Sequence, residues 1–249
     1  MKILLKSKAE LDAMRVAGRL TGQVLKQVAE SVEAGMTAAD IDEITRDLIK
    51  KTGGKPSFLN YNGFPAAICV SINDEVIHGI PGKRVVLPGD VVSLDVGVYY
   101  DGFHGDSART VMVGVTDPDV IRLVETTRKA LEAGIAKARA GAHLSDISNA
   151  VQTVAEGEGF SVVREFVGHG VGRHLHEDPQ VPNFGAAGHG PILKPGMVIA
   201  IEPMINLGRP GVAVLDNNWT IVTRDGKPSA HFEHTVAVLE DKVEILTLA

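Results

Sequence analysis

The stretch Val91-Val92-Ser93-Leu94-Asp95-Val96-Gly97-Val98 has the pattern of a buried strand interrupted by one carboxylate, and the sequence Tyr100-Asp101-Gly102-Phe103 follows it. An Asp-Gly pair between apolar runs is a strong signal for a two-residue hairpin turn. If Tyr100 pairs with Phe103, Asp95 lies opposite Ala108 and Asp106 lies opposite a glycine. Cross-strand partners and alternate residues share one face of a sheet. We therefore predict a hairpin that holds Asp95 and Asp106 as diagonal neighbours, with small residues beside them.

The second half of the chain repeats this arrangement. Residues 34–41 match residues 140–147 at Ala, Gly, Asp and Ile, and residues 88–95 match residues 195–202 at almost the same offset. The second match aligns Asp95 with Glu202, and the segment that opens with Glu233 resembles the one that opens with Asp106. Self-similarity at a fixed offset indicates a repeated structural unit. A twofold axis between the halves would bring all four carboxylates together.

Helix signals support two related halves. Ser7 to Glu10 forms a capping-box sequence, a second helix begins near Thr37, and Asp117-Pro118 combines a cap with a helix-starting proline. A fourth helix carries Ile147 and its apolar neighbours at helical spacing. No low-complexity linker separates the halves. We expect one domain over residues 1–249, with an α+β fold in which a pseudo-twofold symmetric antiparallel sheet is covered by two pairs of helices.

Four carboxylates at close range would repel one another, and some would have to bind protons. Two divalent metal ions would balance their charge, so the sequence predicts a dinuclear site. The alternative is that each acid lies alone at the edge of a sheet. Matching positions in the two halves favour the metal site.

The segment from Phe166 to Glu177 contains His169 between two glycines, which let the backbone approach closely. This frame favours a metal ligand or a catalytic group. The segment is neither a dinucleotide loop nor an HExxH zinc motif, and the sequence contains no GxSxG motif. Cys69 lies in an apolar run and is expected in the core or a pocket wall. The remaining histidines outside the motifs are expected at the surface or as supporting residues: His104, His143, His174, His189, His231 and His234.

Composition excludes several other classes. The net charge of −6 argues against a nucleic-acid binder. One cysteine permits no internal disulfide, which is typical of a reducing compartment. No signal peptide or apolar run of about 18 residues is visible. We expect a cytoplasmic protein without membrane contact.

These motifs resemble those of the type I methionine aminopeptidases, which have the pita-bread fold. The resemblance covers nearly the whole chain. Residues 71–81 are similar to the family's substrate-histidine segment, and residues 166–184 to its metal-histidine signature. The resemblance implies two divalent ions, Co, Mn, Fe(II) or Zn, held by five ligands: Asp95, Asp106, His169, Glu202 and Glu233.

The resemblance also implies the reaction and its substrate. Asp106 and Glu233 would bridge the ions, His176 and His78 would act on the scissile bond, and Glu202 would move the proton. The methionine side chain would bind among Phe58, Tyr61, Phe64, Cys69 and Trp219, with ordinary core packing as the alternative for both phenylalanines. The implied partner is the N-terminal peptide of a nascent protein, preferably with a small second residue. The implied enzyme is a monomer that contacts the ribosome transiently.

Two residues depart from the family pattern. Leu175 stands where an aromatic residue is usual, and Phe58 where some members have cysteine. Both change the expected shape of the pocket, and Leu175 is expected to widen the subsite for the second residue.

Four alternatives are disfavoured. Proline-directed peptidases usually carry an added N-terminal domain, and type II methionine aminopeptidases a helical insertion. Inactive binding modules and metal-free creatinase-like hydrolases lack the full set of five ligands.

Overall fold

The computed structural model describes residues 2–249 and has an α+β architecture. The helices are α1 (Lys8–Ser31), α2 (Ala38–Thr52), α3 (Pro118–Lys137) and α4 (Leu144–Gly157). The strands are β1 (Lys55–Pro56), β2 (Ile68–Ile72), β3 (Glu75–Ile77), β4 (Asp90–Tyr100), β5 (Phe103–Val113), β6 (Ser161–Val162), β7 (Gly168–Gly170), β8 (Glu177–Val181), β9 (Val198–Ile201), β10 (Met204–Asn206), β11 (Val212–Val214), β12 (Ile221–Thr223), β13 (Ser229–His231), β14 (His234–Val238) and β15 (Val243–Ile245). A single 3₁₀ turn, Tyr61–Gly63, completes the regular structure of the described residues. None of the helices within residues 2–249 combines the length and apolar character needed to cross a bilayer.

The helices begin where the sequence predicts. Ser7 caps α1 and exchanges hydrogen bonds with Glu10, and Thr37 and Asp40 make the equivalent pair at α2. Asp117 caps α3, with proline at its first position. Each such cap satisfies backbone N–H groups that have no partner within the helix and stabilises it by about 1 kcal/mol.

The central hairpin has the predicted register. Tyr100 pairs with Phe103, Asp95 with Ala108, and Gly97 with Asp106. Asp101 and Gly102 have φ angles of 47° and 85°, as a tight hairpin turn of this kind requires. The left-handed backbone at both positions explains why the Asp-Gly pair marks the turn.

Helix α1 lies directly on this hairpin because Gly105 leaves room for it. A Cβ at Gly105 would lie 2.6 Å from Thr21 Oγ1 and 2.8 Å from the Cα of Gly18. Any larger side chain would push the helix away. Helix α1 therefore covers the face of the hairpin that carries Gly105. Asp106 is the next residue, so Asp106 and Asp95 lie on the opposite face.

All strand pairs of the described residues are antiparallel, as predicted, but hydrogen bonding divides them into four ladders instead of one continuous sheet. One ladder joins β1, β2 and β5 to β4, and a second has the order β15-β14-β9-β7-β8. Two three-stranded ladders have the orders β13-β10-β6 and β11-β12-β3. Helices α1 and α2 pack on the first ladder, while α3 and α4 pack on strands of the second half.

Equivalent backbone hydrogen bonds show the relation between the halves. The Gly35 N–H donates to the Val86 carbonyl at 2.8 Å, and the Gly141 N–H donates to the Leu193 carbonyl at 2.9 Å. Each half also has its own apolar core, made of buried aliphatic side chains between helices and strands. The internal repeat in the sequence therefore corresponds to a repeated helix-and-strand unit.

The halves meet where β5 runs beside the chain around Glu233. The Glu233 N–H donates to the Ala108 carbonyl at 2.9 Å, and the Ala108 N–H donates back at 3.3 Å. Thr235 Oγ1 donates to the Asp106 carbonyl at 2.7 Å. These bonds bring the acids of the two halves to a common centre.

Candidate active site

A cavity of about 340 Å³ opens at the junction of the halves and contains the predicted site residues. A larger groove of about 680 Å³, between α1 and α3, is lined by none of them. The residues lining the smaller cavity are Phe58, Tyr61, Asn62, Phe64, Cys69, Ile77, His78, Asp95, Asp106, Phe166, Val167, His169, Leu175, His176, Glu202, Trp219 and Glu233. Within residues 2–249, this lining contains four carboxylates and no lysine or arginine.

The carboxylates sit on the ends and interiors of strands, which explains their burial. Asp95 and Asp106 lie inside β4 and β5 and are 9% and 3% exposed. Glu233 lies between β13 and β14 and is 2% exposed. Glu202 follows β9, and its side chain is 12% exposed. The predicted convergence of four acids from two halves is therefore present.

His169 completes the group from strand β7. Its Nδ1–H donates to the Gly170 carbonyl at 2.9 Å, so the lone pair lies on Nε2. Nε2 is 3.7 Å from Asp106 Oδ2 and 3.6 Å from Glu202 Oε1. These separations are too long for hydrogen bonds and suit two donors around a shared ion. The ring itself is buried, 8% exposed, at the wall of the cavity.

The glycines beside His169 allow its strand to fit between its neighbours. A Cβ at Gly168 would lie 2.3 Å from the Ala200 carbonyl oxygen, and one at Gly170 would lie 2.3 Å from that of Asp178. Strand β7 is therefore pressed against the chain on either side. The glycine frame fixes the position of the ring, as the sequence pattern indicated.

The acids strongly disfavour their charged forms in the absence of cations. Burial, with Glu202 nearby, raises the pKa of Asp95 to about 7, and burial raises the pKa of Glu202 to about 8. Burial and neighbouring carboxylates raise the pKa of Asp106 and Glu233 well above their usual range. Among the described residues, Asp95 Oδ1, Asp106 Oδ1 and Glu233 Oε1 are buried without a hydrogen-bond partner. Buried, unpartnered carboxylate oxygens fit divalent cations.

Donor atoms group into two overlapping sets that could each hold an ion. Asp106, His169 and Glu233 form one set, and Glu202, His231 and Glu233 form the other. Asp95 lies beside them on β4. Carboxylates with imidazole suit Mn, Fe, Co or Zn.

The two histidines predicted to act on the scissile bond line the same cavity. His176 Nδ1 and Tyr61 Oη are joined by a hydrogen bond of 2.8 Å, and the His176 ring centroid is 4.1 Å from that of His169. His78 has a left-handed backbone, with φ of 58°, a strained conformation typical of functional positions. Burial lowers the pKa of His78 to about 4, with contributions from His231 and His176, so its ring is neutral near pH 7.

The predicted methionine pocket is an apolar cluster at one end of the cavity. Phe58, Phe64 and Cys69 are buried there, with Tyr61 and Trp219 packed against them. The Phe64 and Trp219 rings meet edge to face at 5.1 Å. Cys69 pairs with Asp95 across the strands, which places the pocket directly beside the acids. Burial and Asp95 raise the pKa of the Cys69 thiol well above its usual value, so the thiol stays neutral.

Two residues lie closer to the site than the sequence indicated. Leu175 is 1% exposed and belongs to the methionine-pocket cluster with Phe58 and Phe64. His231 is 1% exposed, and its Nε2 is 3.5 Å from Glu202 Oε2, so of the two locations expected for it the surface one is wrong. His231 lies two residues before Glu233, and alternation along a strand could have indicated that they share a face.

The chain is similar to several known proteins over nearly its whole length. The sequence model of metallopeptidase family M24 matches residues 12–240 of this chain. Methionine aminopeptidase 1 of Bacillus subtilis is 50% identical, with 98% of this chain and 99% of the relative covered. The methionine aminopeptidase of Clostridium perfringens is also 50% identical, with 99% of each covered. The crystal structure of a methionine aminopeptidase from Thermotoga maritima is 44% identical and superposes with a TM-score of 0.98 over 100% of both chains.

Proposed function

We propose how the site works from the premise that this chain belongs to the methionine aminopeptidases of metallopeptidase family M24. The chain is a metallo-aminopeptidase with the α+β pita-bread fold, and it removes N-terminal methionine from proteins. The predicted family, fold and activity are confirmed. The observation that carries the proposed mechanism is the group of four buried carboxylates around His169, beside an apolar pocket.

The proposed metal ligands are Asp95, Asp106, His169, Glu202 and Glu233, which would hold two divalent ions, with Co, Mn, Fe(II) and Zn as candidates. Asp106 and Glu233 belong to one donor set, and the backbone hydrogen bonds between Ala108 and Glu233 hold their two segments together, which supports a shared role for these two in holding both ions. Two such ions, when bound, supply Lewis acidity and lower the pKa of the attacking water. The free α-amine of the substrate would bind at this centre, which would restrict cleavage to chain ends.

The methionine side chain would lie among Phe58, Tyr61, Phe64, Cys69 and Trp219, with Leu175 added to the wall. Aromatic rings and a neutral thiol suit a flexible, polarisable thioether. A charged side chain would lose its hydration without gaining a partner. This pocket therefore favours methionine over lysine of similar length.

Three side chains would move protons and orient the peptide bond. With the Tyr61 hydroxyl donating to His176 Nδ1, the His176 ring proton stays on Nε2 and is available to the developing oxyanion. His78, neutral in its buried position, would bind near the leaving nitrogen. Glu202, whose pKa burial raises, would take a proton from the water and deliver it to the leaving amine.

The physiological setting is also part of the proposal. The enzyme would act in the cytoplasm as a monomer, on nascent chains whose second residue is small, with transient ribosome contact and no nucleic-acid or membrane binding of its own. The lone buried Cys69 supports a reducing compartment. Hydrogen bonds between the halves, such as Glu233 to Ala108, support a single domain over residues 1–249. Co-sedimentation with ribosomes would test the ribosome contact, and size-exclusion chromatography would test the monomeric state.

The decisive experiment is a peptide series with metal-reconstituted protein. Met-Xaa-Ser peptides, with Xaa from Gly to Lys, should be cleaved fast for Gly and Ala and slowly for Lys. Norleucine-Ala-Ser should be cleaved at a modest loss, because one changed methylene-sized group alters binding by about 1–3 kcal/mol. Acetyl-Met-Ala-Ser is the matched control and should not react. Equal rates across Xaa would contradict the small-residue preference, and rapid release of N-terminal lysine would contradict the pocket.

A further inference from the structure

His231 has no role in the mechanism above, although it lies directly behind Glu202 and does not line the cavity itself. The residue ends strand β13 and is 1% exposed. Its Nε2 is 3.5 Å from Glu202 Oε2 and is buried without a hydrogen-bond partner. An unpartnered buried imidazole nitrogen next to a carboxylate calls for a physical explanation.

The two oxygens of Glu202 face two different histidines. Oε1 is 3.6 Å from His169 Nε2, and Oε2 is 3.5 Å from His231 Nε2. His169 Nε2 is an electron-pair donor, because its Nδ1–H is used by the Gly170 carbonyl. One face of Glu202 is therefore turned to the donor cluster and the other to His231.

The backbone of His231 is fixed, so its ring has a defined place. The His231 N–H donates to Thr110 Oγ1 at 2.9 Å, and Thr110 Oγ1 donates to the His231 carbonyl at 2.8 Å. Across the ladder, His231 pairs with the fully buried Met204. By contrast, the Glu202 side chain extends from the end of a strand. Movement of the Glu202 carboxyl by about 0.6 Å would bring the two atoms to hydrogen-bond distance.

A third ion bound by His231 is the competing explanation, since Glu202, His231 and Glu233 form a candidate donor set. That set shares both carboxylates with the other proposed ligands. Four carboxylates already balance two divalent ions, so a third would leave two uncompensated positive charges in a buried site. Burial of unbalanced charge is strongly unfavourable.

We propose that His231 is a positioning residue for Glu202. Its Nε2–H donates to Oε2 and holds the carboxylate so that Oε1 points at His169 and the metal cluster. Outer partners of metal-binding side chains typically contribute 10–100-fold to metal affinity or activity. This inference rests on the proposed metal-ligand role of Glu202.

The test compares His231→Leu, which removes the donor, with His231→Gln, which keeps an N–H donor on a side chain of similar reach. Mn²⁺ is titrated calorimetrically into the chelator-stripped full-length protein, and Met-Ala-Ser hydrolysis is measured at saturating Mn²⁺. We expect His231→Leu to weaken one Mn²⁺ site by about 10-fold or more and to lower kcat with little change in KM. His231→Gln should recover most of both losses. The control is His234→Gln, whose ring bonds Thr247 and, as the next residue after Glu233, faces away from the cavity.

Several results would overturn the proposal. The proposal is wrong if His231→Leu has unchanged Mn²⁺ affinity and kcat. It is also wrong if a folded His231→Gln recovers neither the Mn²⁺ affinity nor the kcat lost in His231→Leu. Three Mn²⁺ ions in the parent and two in His231→Leu would make His231 a ligand instead. If the leucine variant does not fold, the ¹⁵N spectrum of the parent decides, because the proposal requires the His231 proton on Nε2. A parent that neither binds Mn²⁺ nor cleaves Met-Ala-Ser would instead overturn the proposed function.

Discussion

Replacing Asp95 by asparagine should stabilise the metal-free protein and weaken the metal-bound one. Asp95 lies in β4 between Cys69 and Ala108, and its Oδ1 is buried without a hydrogen-bond partner. Asparagine has nearly the same shape and no charge. The substitution therefore removes a buried charge whose only compensation, in our account, comes from the metal ions.

The magnitude follows from the pKa of Asp95, which burial raises from 3.8 to about 7. Because the folded state holds this proton more tightly than the unfolded state, the free energy of unfolding falls as pH rises from about 4 to about 7 and then levels off. The loss at pH 8 is about 4 kcal/mol. An asparagine amide with incomplete hydrogen bonding costs about 1–3 kcal/mol. Asp95→Asn should therefore gain about 1–3 kcal/mol at pH 8 and lose about 1–3 kcal/mol below pH 4, where Asp95 is neutral and only the cost of the amide remains.

Urea unfolding in EDTA, followed by circular dichroism from pH 4 to pH 8.5, measures this effect. Exposed Asp241→Asn is the control and should change stability by no more than about 0.5 kcal/mol at any pH. With Mn²⁺ added, the order should reverse, because ligand at 100 times its Kd stabilises the parent by about 2.7 kcal/mol. A metal-ligand role for a buried Asp95 charge is refuted if Asp95→Asn is less stable than the parent at pH 8 in EDTA, or if both proteins gain equally from Mn²⁺.

Three further substitutions test separate parts of the site. Asp106→Ala should abolish Met-Ala-Ser hydrolysis and reduce metal content measured by mass spectrometry, and two retained ions would exclude a bridging role. His176→Ala should lower kcat by about 10²–10³ with near-normal metal content, and unchanged turnover would exclude an oxyanion donor. Leu175→Phe should overfill the methionine pocket, raise KM and lower stability by about 1–3 kcal/mol. Adding Phe58→Cys should relieve that loss, and strictly additive effects would show that the two side chains do not share the pocket.

Local chemistry explains why much of this fold could be predicted from the sequence. The Asp101-Gly102 turn sets the pairing of Tyr100 with Phe103, and every later pair along the hairpin follows from it. Capping residues such as Ser7 and Thr37 act within one helical turn, so their role is visible without tertiary structure. The internal repeat added the long-range information that hydrophobic patterns lack.

Other features depend on packing between distant segments and were not predictable in the same way. Leu175 joins Phe58 and Phe64 only because residues from both halves meet at the pocket. The division of the strands into four ladders depends on which distant segments form hydrogen bonds, as where β3 pairs with β12. His231 has no glycine frame, and its importance is visible only from its position next to Glu202.

Anomalous diffraction from crystals grown with Mn²⁺ locates the ions and their ligands without reference to activity. We expect two peaks about 3.5–4 Å apart. Asp106 and Glu233 should contact both ions, Asp95 one of them, and His169 with Glu202 the other. No peak among these side chains, or a single ion that Asp106 and Glu233 do not contact, would contradict a dinuclear site.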